Sequence, residues 1–179
     1  MKKLFIFVWE IAKLVIISLA IIIPIRYFLI QPFFVRGASM EPNFDNGQYL
    51  VIDEISYRFN EPQRGDIIVF KYPLDPSQYY IKRLIGLPSE TVEVKNGKVF
   101  IYNSLHPQGM ILDESDYLSE RAITMGDNIK VVLGEREYFV LGDNRQASSD
   151  SRKWGALSKE YIIGRVWLRA WPFNLVEVF

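Results

Sequence analysis

The run LVIISLAIIIPI from Leu14 to Ile25, continued by Tyr27-Phe28-Leu29-Ile30, constrains this chain more than any other segment. It reaches the roughly 20 apolar residues that a helix needs to cross a bilayer. It therefore predicts one membrane-spanning helix followed by a separate domain. Lys2, Lys3 and Lys13 precede the run, and positive charge there favours a cytoplasmic amino terminus. Arg26 would then reach the far interface beside Tyr27 and Phe28, with its aliphatic stem along the apolar region. A cleavable leader also begins with positive charge and an apolar stretch. Against that reading, Ser18-Leu19-Ala20, the nearest small-x-small pattern, lies inside the apolar run, and a cut near Ala38 would fall beside Ser39. A buried core helix is weaker still, because helices apolar all round are uncommon in domains this small. The expected division is 1–31 for the amino terminus and membrane anchor, and 32–179 for an extracytoplasmic domain.

Beyond Pro32 the pattern changes to short alternating or apolar runs broken by turn residues, which predicts a mainly β domain, an antiparallel sheet or barrel-like. The expected strands are Tyr49 to Ile55, Asp66 to Tyr72, Tyr79 to Ile85, Thr91 to Lys95, Lys98 to Tyr102, Glu137 to Leu141 and Tyr161 to Leu168. Asn96-Gly97 between TVEVK and KVFIY is a strong hairpin signal, since both residues tolerate the positive φ of a type I′ turn. Val92 and Val94 should then share a face with Val99 and Ile101. Residues 103–128 read as a surface excursion with room for one helical turn, and its Asp113, Glu114 and Asp116 as a solvated charged face.

Lysine plus arginine (21) balances aspartate plus glutamate (21), so no global field attracts nucleic acid. Cysteine is absent and His106 is the single histidine, which excludes thiol chemistry and leaves almost nothing for a zinc site. No metal or organic cofactor is expected.

Ser39 lies in GASMEP, Gly37 to Pro42, a few residues past the apolar run. Alone it reads as a turn residue. Gly37 and Ala38, however, leave the backbone open to an approaching chain, and the Ser39 amide can point at a carbonyl under attack as part of an oxyanion hole. Lys82 sits in the strand YIKRLIG, where Arg83 alternates to the opposite face, so one of the two must look inward. If that is Lys82, burial lowering its pKa from about 10.4 to about 8 represents about 3 kcal/mol of differential interaction. Serine and lysine can then act as nucleophile and base. The run GDNRQASSDSR, Gly142 to Arg152, offers polar neighbours: Asp150 and Arg152 as a clamp, and Ser148 as a hydrogen-bond partner for the Lys82 amine. Its Asp, Asn and Ser content also suits an ordinary turn.

On these residues the chain resembles the bacterial type I signal peptidases, in particular the single-anchor kind of Gram-positive organisms. Four of that family's boxes stand in order after the anchor: SMEP at Ser39 to Pro42, RGDIIVF at Arg64 to Phe70, YIKRLIGLP at Tyr80 to Pro88, and GDNRQASSDSR. The resemblance implies Ser39 as nucleophile, Lys82 as general base, Ser148 orienting the lysine, and Asp150 with Arg152 supporting the site. It also implies shallow substrate pockets involving Met40, Tyr80 and Ile81, selective for small side chains before the cut. The implied partners are signal peptides of exported precursors and the lipid bilayer, and the implied location is the cell membrane, single-pass, with the catalytic domain outside.

Two residues depart from the family pattern. Gly37 stands where some members carry a serine that helps the oxyanion hole, so a Gly37→Ser variant is expected to fold normally and turn over at an equal or higher rate. Asn43 replaces the usual threonine after Pro42. An inactive binding protein for signal peptides is disfavoured by the presence of both Ser39 and Lys82. A self-cleaving repressor would need a DNA-binding module where the apolar run stands, and a serine-histidine hydrolase would have to use His106, beside Pro107 in the excursion.

Overall fold

A computed structural model of the chain describes residues 2–24, 30–119, 122–126 and 128–179. The first element is the helix α1, Lys2–Pro24, which begins well before the Leu14 start of the apolar run. Glu10 and Lys13 pair on it at 2.7 Å. Leu4, Ile6, Phe7, Trp9, Leu14 and Ile16 are exposed, as are apolar residues on to Ile22, so no protein surface covers it. Among the described residues, no helix is long and apolar enough to cross a membrane. The expected span runs on past Pro24 through Ile25 to Leu29, with Arg26 among them, and that stretch lies outside the described residues.

The rest is antiparallel β-structure in two sheets. The larger contains β1 (Ile30–Phe34), β2 (Tyr49–Asp53), β3 (Ile67–Tyr72), β4 (Asp75–Gly86), β9 (Glu137–Leu141), β10 (Leu157–Ser158), β11 (Ile162–Trp171) and β12 (Glu177–Val178). Its order is β1-β2-β11-β3-β4-β9-β10, with β12 on β11. This sheet has two ends, at β1 and β10, in place of a barrel-like closure. The smaller contains β5 (Thr91–Lys95), β6 (Lys98–Tyr102), β7 (Met110–Ile111) and β8 (Ile129–Val132), ordered β7-β6-β5-β8. Two short helices, α2 (Ser56–Phe59) and α3 (Ser151–Trp154), complete the elements that matter here.

The β5–β6 hairpin turns on Asn96 (φ 52) and Gly97 (φ 74), the positive-φ pair that a type I′ turn requires. Its register sets Val92 opposite Ile101 and Val94 opposite Val99, and all four are fully buried. They share a core with Ile85, Phe139 and Leu141 of the larger sheet. The crossing occurs at the end of β4, where Gly86 sits at a register shift against β9. A Cβ on Gly86 would lie 2.8 Å from both Leu133 and Phe139 and would collide with Val92, so the close approach needs glycine.

The excursion lies at the surface as expected, but parts of it pack down onto the domain. Met110, Leu112 and Tyr117 pack against the shared core, and Glu114 forms a largely buried ion pair with Arg145. Asp113 and Asp116 do remain exposed.

Candidate active site

Between Phe34 and Tyr49 the chain leaves the sheet and folds the segment carrying Ser39 into a tight turn, closed by Glu41 N–H to Ala38 O (3.3 Å) and Phe44 N–H to Met40 O (2.9 Å). Gly37 enters it with φ 90, its N–H donating to Asn46 Oδ1 at 2.9 Å. Successive side chains of the turn diverge. Ser39 faces a cleft of about 780 Å³, whereas Met40 is buried beside Val35, Phe44 and Leu50. Met40, which the resemblance places in a substrate pocket, is packed in the core and does not line this cleft.

The opposite wall is β4. Tyr80, Ile81 and Lys82 line the cleft, and Lys82 reaches Ser39: its Nζ lies 2.7 Å from Ser39 Oγ and 2.7 Å from the Ile81 carbonyl. The lysine is only 3% exposed. Burial pulls its pKa down to about 8, against the opposing pull of the Asp150 and Asp143 carboxylates. The Tyr80 ring lies 5.3 Å from Nζ and stacks on Tyr72 at 4.4 Å. At such a pKa the amine is partly neutral near physiological pH, and the 2.7 Å contact then suits transfer of the serine proton to nitrogen. Phe33, Phe34, Val35 and Val69 add apolar surface to the cleft, and Arg36, Ser77, Gln78 and Ser149 polar surface.

Lysine and arginine do not divide between inside and outside as strand alternation suggested; both are buried. Arg83 survives burial because Asp143 receives it in a bidentate pair, at 2.8 and 2.7 Å, and because the Tyr117 ring covers its guanidinium at 4.0 Å. A buried charge needs such a partner.

The turn after β9 closes the back of the site. Asn144 N–H donates to the Ser39 carbonyl at 3.0 Å. Gly142 leaves space for that approach, since a Cβ there would collide with Ser148 Oγ and the Ser39 carbonyl. Asp150 is fully buried. Burial would raise its pKa, but the Arg152 guanidinium and the Gly142 amide hold it below the usual carboxylate range. The pair is bidentate, with both contacts at 2.8 Å, and Arg152 also donates to the Met125 carbonyl at 2.9 Å. Ser148 is buried in the same wall, where its hydroxyl lies close enough to Asp150 to help hold that carboxylate's pKa down, although it makes no hydrogen bond of ordinary geometry among the described residues. The bond expected from it to Lys82 is not made, and the Ile81 carbonyl fixes the lysine instead. The Ser39 amide donates to no protein acceptor among the described residues.

Sequence reasoning did not assign Arg83, Asp143, Arg145, Glu114 or Tyr117 to the site's support. The available signal was charge at positions bracketed by apolar residues, as with Arg83 before Leu84-Ile85. Asn43, noted only as a departure, ties the turn to its surroundings through Nδ2, which donates to the Tyr117 carbonyl and to Asp143, both at 2.8 Å. Among the described residues no group of three or more His, Cys, Asp or Glu side chains could hold a metal ion.

Comparison with known proteins adds an independent line. The profile of the family described as signal peptidase, peptidase S26, matches residues 8–171. A probable signal peptidase I-2 from Synechocystis is 36% identical over 91% of this chain and 73% of its own length. Signal peptidase I from Bacillus amyloliquefaciens is 34% identical over 93% of this chain and 86% of its own. A crystal structure of a signal peptidase I from Enterococcus faecalis is 33% identical, covering 59% of this chain and 97% of that one with a TM-score of 0.47.

Proposed function

The chain belongs to the signal peptidase family, peptidase S26, and from that premise we propose that this signal peptidase I acts as a membrane-anchored serine endopeptidase with a Ser39–Lys82 dyad, cutting signal peptides from exported precursors. The observation that carries the dyad is the 2.7 Å contact between Nζ and Oγ, made by a lysine that burial brings to a pKa of about 8.

In this reading a precursor lies along the cleft between Ser39 and β4. Neutral Lys82 takes the Ser39 proton as Oγ attacks the scissile carbonyl, and the oxyanion that forms is met by the Ser39 amide. The Lys82 ammonium then protonates the leaving amine. The acyl-enzyme is hydrolysed by a water that Lys82 deprotonates, which restores the serine. No cofactor enters either half. Tyr80 and Ile81 wall the cleft beside the dyad, which supports a preference for small side chains next to the cut. Asp150 and Arg152 hold the turn that backs Ser39. Anchoring is supported by the uncovered apolar surface of α1, since such a helix is at home in lipid.

The test is cleavage of a model precursor by the full chain in detergent. Ser39→Ala should lower the rate by on the order of 10⁴ or more. A Ser39→Ala protein that still cuts at the wild-type rate would remove the serine from the mechanism.

A further inference from the structure

The segment from Glu114 to Tyr117 of the excursion touches the immediate supports of both dyad residues. Glu114 receives Arg145 through both carboxylate oxygens, at 2.6 and 3.1 Å, and Oε1 also accepts from the Tyr117 hydroxyl at 2.8 Å. Arg145, 4% exposed, donates to the Gly142 carbonyl at 3.0 Å and to Thr124 Oγ1. Its chain neighbour is Asn144, whose amide holds the Ser39 carbonyl. The Tyr117 ring lies over Arg83, the neighbour of Lys82, while the Tyr117 carbonyl receives Asn43 from the serine turn.

Three pieces of chain distant in sequence, the serine turn, β4 and the loop after β9, therefore meet on one short stretch of the excursion. Neither Glu114 nor Tyr117 makes a hydrogen bond to Ser39 or Lys82 themselves; the Asn144 amide alone of these groups reaches the dyad, at the Ser39 carbonyl. Resting on the dyad reading above, we propose that Glu114 and Tyr117 are positioning residues, a brace that holds the serine turn against β4 and so fixes the contact between Ser39 and Lys82. Glu114 acts through Arg145 and Asn144, and Tyr117 through Arg83 and Asn43. The excursion is then part of how the enzyme keeps its geometry.

Loosening the brace has two consequences that simple destabilisation does not share. A displacement of about 1 Å between nucleophile and base can cost about a hundredfold in rate, and it falls mainly on kcat because the contact between Oγ and Nζ acts in the chemical step. A loosened Lys82 also gains water and loses the burial that depresses its pKa, so the pH midpoint of kcat moves upward. The charged groups acting on Lys82, Asp150 and Asp143, are left in place. A variant that merely unfolds in part keeps its midpoint once activity is expressed per folded enzyme at each pH.

The experiment measures kcat, KM and the pH midpoint on one precursor peptide with the full chain in detergent. It compares wild type, Ser39→Ala, Glu114→Ala, Glu114→Gln and Tyr117→Leu, each with its thermal midpoint. Glu114→Ala and Tyr117→Leu should lose about tenfold to a hundredfold in kcat, with KM within about twofold of wild type and a raised pH midpoint. Glu114→Gln keeps the shape and one acceptor, so it should recover part of kcat and guards against a collapsed alanine variant. Wild-type kcat and midpoint in Glu114→Gln and Tyr117→Leu overturn the brace, as does loss of kcat with the midpoint unmoved. Undiminished cleavage by Ser39→Ala overturns the dyad reading instead, so the two failures are distinguishable.

Discussion

In the proposed dyad Lys82 must be both buried and basic, and the two demands meet in its protonation equilibrium. Its folded pKa of about 8 lies below the ordinary 10.5, so between those values the unfolded chain holds the proton more tightly and stability rises with pH. Below about 8 the full cost of the buried ammonium remains, about 3 kcal/mol. Lys82→Met, neutral and similar in volume, should therefore be more stable than wild type at pH 7, the difference shrinking towards pH 10.5 in denaturant titrations. A Lys82→Met protein that is less stable at both ends would mean that the bonds to Ser39 and Ile81 outweigh burial. Activity should climb with pH through about 8, and Lys82→Arg should be inactive, because guanidinium keeps its proton. The pairing of Ser39 with Lys82 was legible because reactive residue types stood in recognisable surroundings. Gly37 was misread, because sequence showed only a missing hydroxyl. At φ 90 with open space around its Cα, the backbone is the constraint. Gly37→Ser and Gly37→Ala should each lose about 1–2 kcal/mol, read as similar drops in thermal midpoint. An unchanged Gly37→Ser would show that its hydroxyl finds a compensating partner.

The elements that carried their own local signal were readable, and those defined by their partners were not. The β5–β6 hairpin announced itself through Asn96-Gly97 and alternation on both sides, and its ends fall at Thr91, Lys95, Lys98 and Tyr102 as expected. The strand β1 is not among the expected strands, which begin at Tyr49, yet Pro32 pairs with Val51 on the end strand of the sheet, where a missing N–H is tolerated. β8 does alternate, with Ile129 and Val131 half-buried and Lys130 and Val132 exposed, but it followed a stretch too polar to suggest a strand. The two-residue strands β7, β10 and β12 have no sequence signature, since they exist only as pairings. Gly86, at the end of β4 where the larger sheet meets the core shared with the smaller one, gives the sharpest test of this packing. Gly86→Ala should cost about 1–3 kcal/mol by overpacking the shared core. Adding Val92→Ala removes the side chain that the new methyl would strike, so the double variant should be more stable than the two single losses predict, by about 1 kcal/mol in denaturant titrations. Simple additivity would mean that the backbone shifts to accept the methyl.

At the scale of the whole molecule, the chain joins a β-domain with well-buried cores to a helix whose described apolar side chains stay largely exposed. The exposed side chains of α1, from Leu4 and Ile6 to Ile21 and Ile22, each forgo about 1.5–3 kcal/mol that burial would return. Water cannot return it, and hydrocarbon can. Orientation then follows from charge. Lys13 is paired with Glu10, and Lys2 and Lys3 add further positive charge to the amino-terminal flank by sequence; such charge is retained on the cytoplasmic side. The resulting prediction places residues 32–179 outside the cell, on the side where exported precursors emerge. Protease added to intact protoplasts should digest that domain while sparing an amino-terminal tag. Replacing both Lys2 and Lys3 by glutamate should weaken the bias and leave part of the population with a protected domain. Processing of exported precursors in that strain should fall in proportion, because an inverted enzyme keeps its dyad but faces the wrong compartment. A wild-type domain that resists protease until the membrane is permeabilised would reverse the orientation.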